Sequence, residues 1–249
     1  MRLPDPSSVR TLLVDAGGVL VRPNFERVAE ALCSRGVEAE PGALRGAEAR
    51  AKRELDRPPA EGTTTDEERG WLYFNTLLRH AGLARSAATD AALVELKSWH
   101  DRHCLWDSVL DGVGPALERL RDAGIRLAVV SNSNGTVRQL LARLGFLEHF
   151  VVVVDSAEEG VEKPDPRIFQ IALERAGAAP GKALHVGDIY HVDVVGARAA
   201  GLRVVLLDEA GLYPEADCPR VGSLAELAAH LASCARPGQD FLLDSRTAR

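Results

Sequence analysis

The chain has little of what several function classes require. Its four cysteines, Cys33, Cys104, Cys218 and Cys234, are widely scattered and contain no CxxC pair. That spacing argues against a zinc site or a disulfide frame and points to reduced thiols in a cytoplasmic protein. There is no excess of basic charge: 30 Lys and Arg stand against 36 Asp and Glu, a net charge of −6. No basic stripe is visible either, so nucleic acid is not an expected partner. A local site can still oppose the global sign and take an anion. The N-terminal stretch lacks the apolar core of a signal peptide, and no apolar run is long enough to span a bilayer, so no membrane association is expected. Internal repeats are absent. What remains is ordinary for a soluble protein: 249 residues, 46% hydrophobic and 27% charged, enough for one large domain or two modest ones.

The most informative stretch is Thr11-Leu12-Leu13-Val14-Asp15-Ala16-Gly17-Gly18-Val19-Leu20. A short apolar run ends abruptly in one carboxylate, and two glycines follow. Its length and its glycine terminator suit a buried strand over 11–16. Asp15 then stands at the carboxyl end of that strand, where open α/β sheets place ligands. By itself the stretch equally suits an Asp that merely starts a turn.

From about Pro23 to Asp107 the pattern is helical, with no convincing strand. Phe25, Val28, Ala29 and Leu32 share one helix face that Gly36 ends, and 41–56 is helix-prone. Pro58-Pro59 and Gly62 form a break. Thr65 with Glu68 resembles a capping box ahead of Trp71, Leu72, Phe74, Leu77 and Leu78. Ser86 to about Cys104 is another amphipathic helix. Beyond Asp107, strands and helices alternate: strands at 125–130, 150–154, 183–186 and 203–207, and helices at 113–123, 135–144, 166–176, 192–200 and 223–233. Apolar strands alternating with helices predict a doubly wound α/β parallel sheet, covered on both faces. The predicted division is an α/β core domain over 1–21 and 108–235, an inserted all-helical domain over 22–107, and a loosely held tail over 236–249.

Polar residues close these apolar strands: Asp15, Ser131-Asn132 and Gly187-Asp188. Lys163 lies in the loop before the Pro166 helix, and Asp193 follows Asp188 by five residues. In a parallel sheet such ends converge on one edge. One carboxylate nucleophile, one hydroxyl, one amine and a carboxylate pair suit a hard divalent cation and a phosphoryl group. Lys163 and the helix N-terminus after Ser131 are expected to neutralise phosphate oxygens.

Asp15-Ala16-Gly17-Gly18-Val19-Leu20, Val130-Ser131-Asn132, Lys163-Pro164-Asp165 and Gly187-Asp188-Ile189-Tyr190-His191-Val192-Asp193 resemble the four ordered motifs of the haloacid dehalogenase (HAD) superfamily of hydrolases. The likeness runs from about 11 to 210. The helical insert resembles the family's first type of helical cap, and the core its Rossmann-like sheet. The resemblance implies that Asp15 is a nucleophile forming an aspartyl-phosphate. It implies Mg²⁺ held by the Asp15 carboxylate, the Gly17 carbonyl and Asp188, with Asp193 orienting the metal's waters or Lys163 from behind. Ser131 and the Asn132 backbone would bind phosphoryl oxygens, and Lys163 would tether Asp15 to the phosphate. Val19 stands where many relatives carry Thr.

One departure bears on the reaction. Most phosphatases that this chain resembles have a second Asp two residues after the nucleophile, as acid and base; here that position is Gly17. Such assistance is typically worth about 10²–10⁴-fold. The expectation is a phosphatase of small phosphorylated metabolites with good leaving groups, such as sugar 1-phosphates or acyl phosphates, or one that recruits an acid from the cap. The alternatives are a non-hydrolytic or very weakly active binding protein and a 2-haloacid dehalogenase. The pair Asp188 and Asp193 favours metal-dependent phosphoryl transfer. Other candidates have blander readings. Trp71, Tyr73, Trp99 and Trp106 are read as core before pocket, and His100 and His103 as exposed or locally satisfied before catalytic. Tyr190 and His191 are placed near the site entrance. Arg22 is read as solvated, Asp165 as a helix cap, Asp155 as a turn residue, and 158–160 as a polar loop.

Overall fold

Leu12, Leu13 and Val14 leave no polar side for water, and the strand they form, β1 (Thr11–Val14), is buried on both faces. In the computed structural model, which describes residues 1–56 and 66–233, β1 lies inside a six-stranded parallel sheet. After β1 the chain turns at Gly17-Gly18 into β2 (Val21–Arg22). Four helices follow: α1 (Phe25–Cys33), α2 (Pro41–Leu55), α3 (Asp66–His80) and α4 (Ala87–His103). The chain returns through β3 (Ser108–Val109), which pairs antiparallel with β2, Val21 opposite Val109. This short ribbon is the stem on which the helical insert stands.

Regular alternation comes next: α5 (Val113–Asp122), β4 (Arg126–Ser131), α6 (Val137–Arg143), β5 (Phe150–Asp155), α7 (Ser156–Glu159), α8 (Pro166–Arg175) and β6 (Ala183–Gly187). A wide π-helical turn over Tyr190–Val195 leads into α9 (Gly196–Ala199), then β7 (Arg203–Leu207), β8 (Arg220–Val221) and α10 (Leu224–Ala232). The strand order is β5-β4-β1-β6-β7-β8. The chain leaves β1 to build one side through β4 and β5, then returns to its other side with β6. That reversal opens a crevice at the carboxyl ends of β1, β4 and β6.

Side chains alternate across the sheet as a two-residue period requires. Leu12 and Val14 join Leu117, Leu120, Leu141 and Leu227 of α5, α6 and α10 on one face. Leu13, Ala128 and Val130 meet Ile168, Phe169 and Ala197 of α8 and α9 on the other. A third buried cluster, including Phe25, Leu32, Leu44, Leu77 and Leu93, joins α1–α4 to one another.

The alternation of strand and helix matches the sequence expectation, with corrections. β1 stops at Val14, although the Asp15 amide still bonds to the Val186 carbonyl at 3.0 Å before the chain turns. α6 starts at Val137 rather than Gly135. The two-residue strands β2, β3 and β8 are too short to show a period. Residues 158–160, expected to be a polar loop, end a short helix that Asp155 caps through the Ala157 amide. The proposed Pro58-Pro59 and Gly62 break, the Thr65 capping box, Cys234 and the tail lie outside the described residues. Among the described residues no helix is long and apolar enough to cross a membrane.

Candidate active site

Asp15, Ser131 and Asp188 stand at or just past the carboxyl ends of three neighbouring strands, β1, β4 and β6. Ser131 closes β4 and is buried. Asn132 clamps Lys163 by its backbone: its Nδ2 donates to the Lys163 carbonyl (2.9 Å), and its Oδ1 accepts from the Lys163 amide (2.8 Å). So held, the Lys163 side chain is 1% exposed, and its Nζ lies 2.8 Å from Asp15 Oδ1 and 2.8 Å from Asp193 Oδ1.

Asp193 has every lone pair engaged. Oδ1 meets Lys163 and lies 3.1 Å from His185 Nε2; Oδ2 accepts from the Asp188 amide (3.2 Å) and the Ile189 amide (3.1 Å). Asp15 differs. Its Oδ1 takes Lys163 and the Ala16 amide (2.7 Å), while Oδ2 takes no hydrogen bond among the described residues. The Gly17 carbonyl likewise accepts none there. Carboxylate oxygens of Asp15, Asp188 and Asp193 all lie within 4.8 Å of one another. Two glycines permit this crowding. Gly18 adopts φ +77°, and a Cβ there would overlap the Asp188 carboxylate; a Cβ at Gly187 would overlap that of Asp193.

Burial raises the Asp15 pKa to about 7; the Asp193 and Asp188 charges add to that and Lys163 opposes it. Asp188 is raised as well, by burial and by Asp193, against the pull of Lys52. Burial works against a charged Asp193 too, yet Lys163 and His185 overcome it and hold its carboxyl well below the usual range. Lys163 stays protonated, because Asp15 and Asp193 outweigh its own desolvation. Burial pushes His185 down, against the pull of Asp193, 3.1 Å from one ring nitrogen; the Leu13 carbonyl lies 3.1 Å from the other. An Asp15 that resists ionisation marks a site short of positive charge.

Several participants carry no sequence signal. Lys52 of α2 reaches across from the helical insert; its Nζ lies 2.8 Å from Asp188 Oδ2 and 2.9 Å from Glu48 Oε1. Both side chains sit in an Ala/Glu/Arg-rich, helix-prone stretch that carries no motif. Asp56, just past α2, accepts from the Tyr190 and His191 amides, each at 2.8 Å. Burial of Glu48 and Asp56 appears only in three dimensions. His185 was the most findable, a lone polar residue inside an apolar strand.

Two expectations about phosphate binding and surface charge are corrected. Asp155 is no ordinary turn residue: it is buried at the end of β5 and accepts from the Gly135 amide (3.1 Å) and the Val137 amide (3.3 Å). It therefore takes the helix N-terminus that was expected to neutralise phosphate. Arg22 is not solvated; its side chain is 15% exposed and pairs with Glu209 at 3.3 Å. The aromatic residues Trp71, Tyr73, Trp99 and Trp106 pack against the α1–α4 cluster as expected. Trp106 does double duty, since its Cδ1 would lie 3.7 Å from a Cβ on Gly17. His100 is locally satisfied, its Nδ1 accepting from the Leu105 amide at 3.1 Å. Asp165 caps α8. Tyr190 and His191 form the first part of the π-helical turn beside Asp188.

Residues 9–201 match the family described as haloacid dehalogenase-like hydrolase. The chain is 35% identical over 206 residues to human (Homo sapiens) haloacid dehalogenase-like hydrolase domain-containing protein 3, covering 80% of this chain and 82% of that one. It is 42% identical over 116 residues to a phosphoserine phosphatase of Thermus thermophilus, 45% of this chain and 46% of that one. A solved dehalogenase superposes with a TM-score of 0.59 at 26% identity, over 92% of this chain and 99% of that one. The family match spans most of the chain and all four motif regions. This chain belongs to the haloacid dehalogenase-like hydrolases.

Proposed function

We propose that the chain is a Mg²⁺-dependent phosphatase of small phosphorylated metabolites, with Asp15 as nucleophile. The observation that carries this reading is the asymmetry of Asp15. One oxygen is fixed by Lys163 and the Ala16 amide, and the other is left without a donor among the described residues, beside Asp188.

The residues fit the metal. Four carboxylates, Asp15, Asp188, Asp193 and Glu48, face two ammonium groups, Lys52 and Lys163, so full ionisation of the site leaves two negative charges over. A divalent cation balances them, and oxygen donors are what Mg²⁺ prefers. Asp15 Oδ2, the Gly17 carbonyl and Asp188 would hold it. When bound, the ion would neutralise charge on the phosphoryl oxygens. Asp193, saturated by its own donors, positions Lys163 and the 188–193 loop instead of binding metal.

Asp15 Oδ1, oriented by Lys163 and the Ala16 amide, attacks phosphorus while Oδ2 is left to the metal; the new bond is carboxylate oxygen to phosphorus, and the bond to the leaving oxygen breaks with its electron pair, that oxygen taking a proton from solvent. Water then attacks phosphorus and gives its proton to solvent, the phosphorus–Asp15 oxygen bond breaks with its electron pair on the carboxylate, and inorganic phosphate leaves with Asp15 regenerated. Lys163 balances the charge that develops on the phosphoryl group, and Ser131 with the Asn132 backbone binds its oxygens. Gly17 supplies no proton to the leaving group, which favours substrates whose leaving oxygen is weakly basic. The helices over 22–107 act as a cap on a core formed by 1–21 and 108–235, and choose the substrate. The described cysteines Cys33, Cys104 and Cys218 are free thiols, which suits a cytoplasmic protein.

A screen of phosphorylated metabolites and an aryl phosphate, with and without Mg²⁺ and with Asp15→Asn as blank, tests the reading. Phosphate release that needs both Mg²⁺ and Asp15 supports it. Halide release from 2-chloropropionate would make the chain a dehalogenase. Clean ligand binding with neither activity would make it a binding protein.

A further inference from the structure

Lys52 of the helical insert touches one of the proposed metal ligands, Asp188. Its ammonium group sits on Asp188 Oδ2 at 2.8 Å, with its side chain 15% exposed. We propose, on the Mg²⁺ reading above, that Lys52 and the metal compete for Asp188, so that docking of the α2 C-terminus and metal binding oppose each other.

Three observations carry this. First, a single carboxylate cannot serve an ammonium and a divalent cation without setting two positive charges side by side in a buried site, where little water screens them. Second, Lys52 has somewhere to go. Glu48, four residues earlier on the same helix, already lies 2.9 Å from its Nζ, so the ammonium stays paired after it leaves Asp188. Third, the end of α2 is tied to the loop that carries Asp188. Asp56 holds the Tyr190 and His191 amides, and His191 Nδ1 lies 2.8 Å from its Oδ1. Arg53 Nε donates to the Leu212 carbonyl at 3.1 Å, and the guanidinium stacks 4.7 Å over the Tyr213 ring. The insert and the Asp188 loop therefore move as coupled bodies, and coupling between two such events is reciprocal. Without metal, Lys52 holds the insert down on the site; metal at Asp188 releases that hold and leaves the ammonium group to Glu48.

Calorimetric titration of Mg²⁺ into the full-length protein tests this, with Asp188→Asn as blank. Lys52→Met is expected to bind Mg²⁺ about tenfold more tightly than wild type, within the 5–150-fold span of typical site couplings. Lys52→Arg keeps the charge and is expected to stay near wild type. Equal or weaker affinity in Lys52→Met overturns the competition while leaving the metal site standing. No Mg²⁺ binding in wild type and Lys52→Met alike removes the metal reading and this proposal with it. A second measurement needs no variant: amide exchange in the last turn of α2 is expected to speed up when Mg²⁺ is added to wild type. Unchanged or slower exchange contradicts the release of Lys52.

Discussion

Asp15→Asn is expected to stabilise the metal-free protein at pH 8 and to stabilise it much less at pH 5. Asn resembles the protonated acid in shape and charge, so the two proteins are close to equivalent only where Asp15 is protonated in the folded and the unfolded state alike, below about pH 4. The folded-state pKa of Asp15 is raised to about 7 by burial and by its carboxylate neighbours, against about 3.9 in an unfolded chain. A raised value means that the folded state holds the proton more tightly. Its contribution to stability is full below the unfolded pKa and is lost as pH rises through 7. Between pH 5 and pH 7 that is two units, which widens the gap between the two proteins by roughly 3 kcal/mol. For a chain of this size, with a urea slope near ~3 kcal/mol/M, the midpoints should lie about 1 M further apart at pH 8 than at pH 5. Urea unfolding in a chelator at both pH values, followed by circular dichroism, reads this directly. His185, whose pKa is lowered by burial, works in the opposite sense, since the unfolded state takes up its proton below pH 6.5. It is common to both proteins and cancels in the difference. A gap that is the same at pH 5 and pH 8 refutes the reasoning. Added Mg²⁺ should reverse the order, because only wild type retains the full set of ligands.

Lys163→Met leaves Asp15 and Asp193 buried and unpaired with any cation at 2.8 Å. It should cost about 3–5 kcal/mol, and a melting temperature within a degree or two of wild type would contradict that. Gly18→Ala should lose Mg²⁺ binding as well as stability, because a Cβ there meets Asp188 and the φ of +77° suits glycine; titration with Mg²⁺ checks it, and wild-type affinity would argue against the packing described. Gly17→Asp is sterically allowed at Cβ, with Trp106 at 3.7 Å as ordinary contact. It should raise kcat/KM for alkyl phosphates relative to an aryl phosphate by about tenfold or more. An unchanged ratio would mean that the missing acid is not what limits poor leaving groups.

What could be read from the sequence was whatever local chemistry announces. Asp15, Ser131 and Asp188 are polar residues that interrupt apolar strands, and a parallel sheet brings such ends to one edge. Lys163 was legible for another reason, its place before the Asp165-Pro166 helix start. The rest depends on packing between distant segments. Lys52 and Glu48 lie on a helix whose composition predicts only helix, and nothing local says that α2 brings Lys52 to Asp188. Asp155 looked like a turn because its partners, the Gly135 and Val137 amides, lie 20 and 18 residues away. β2 and β3 are held by each other, not by a hydrophobic period.

The most direct measurement is acid-quenched turnover of a phosphorylated substrate with Mg²⁺, followed by mass spectrometry of the digested protein. The account predicts a transient phosphoryl group on the peptide that contains Asp15, absent from Asp15→Asn. Steady phosphate release with no protein-bound phosphate, or undiminished release by Asp15→Asn, would contradict it.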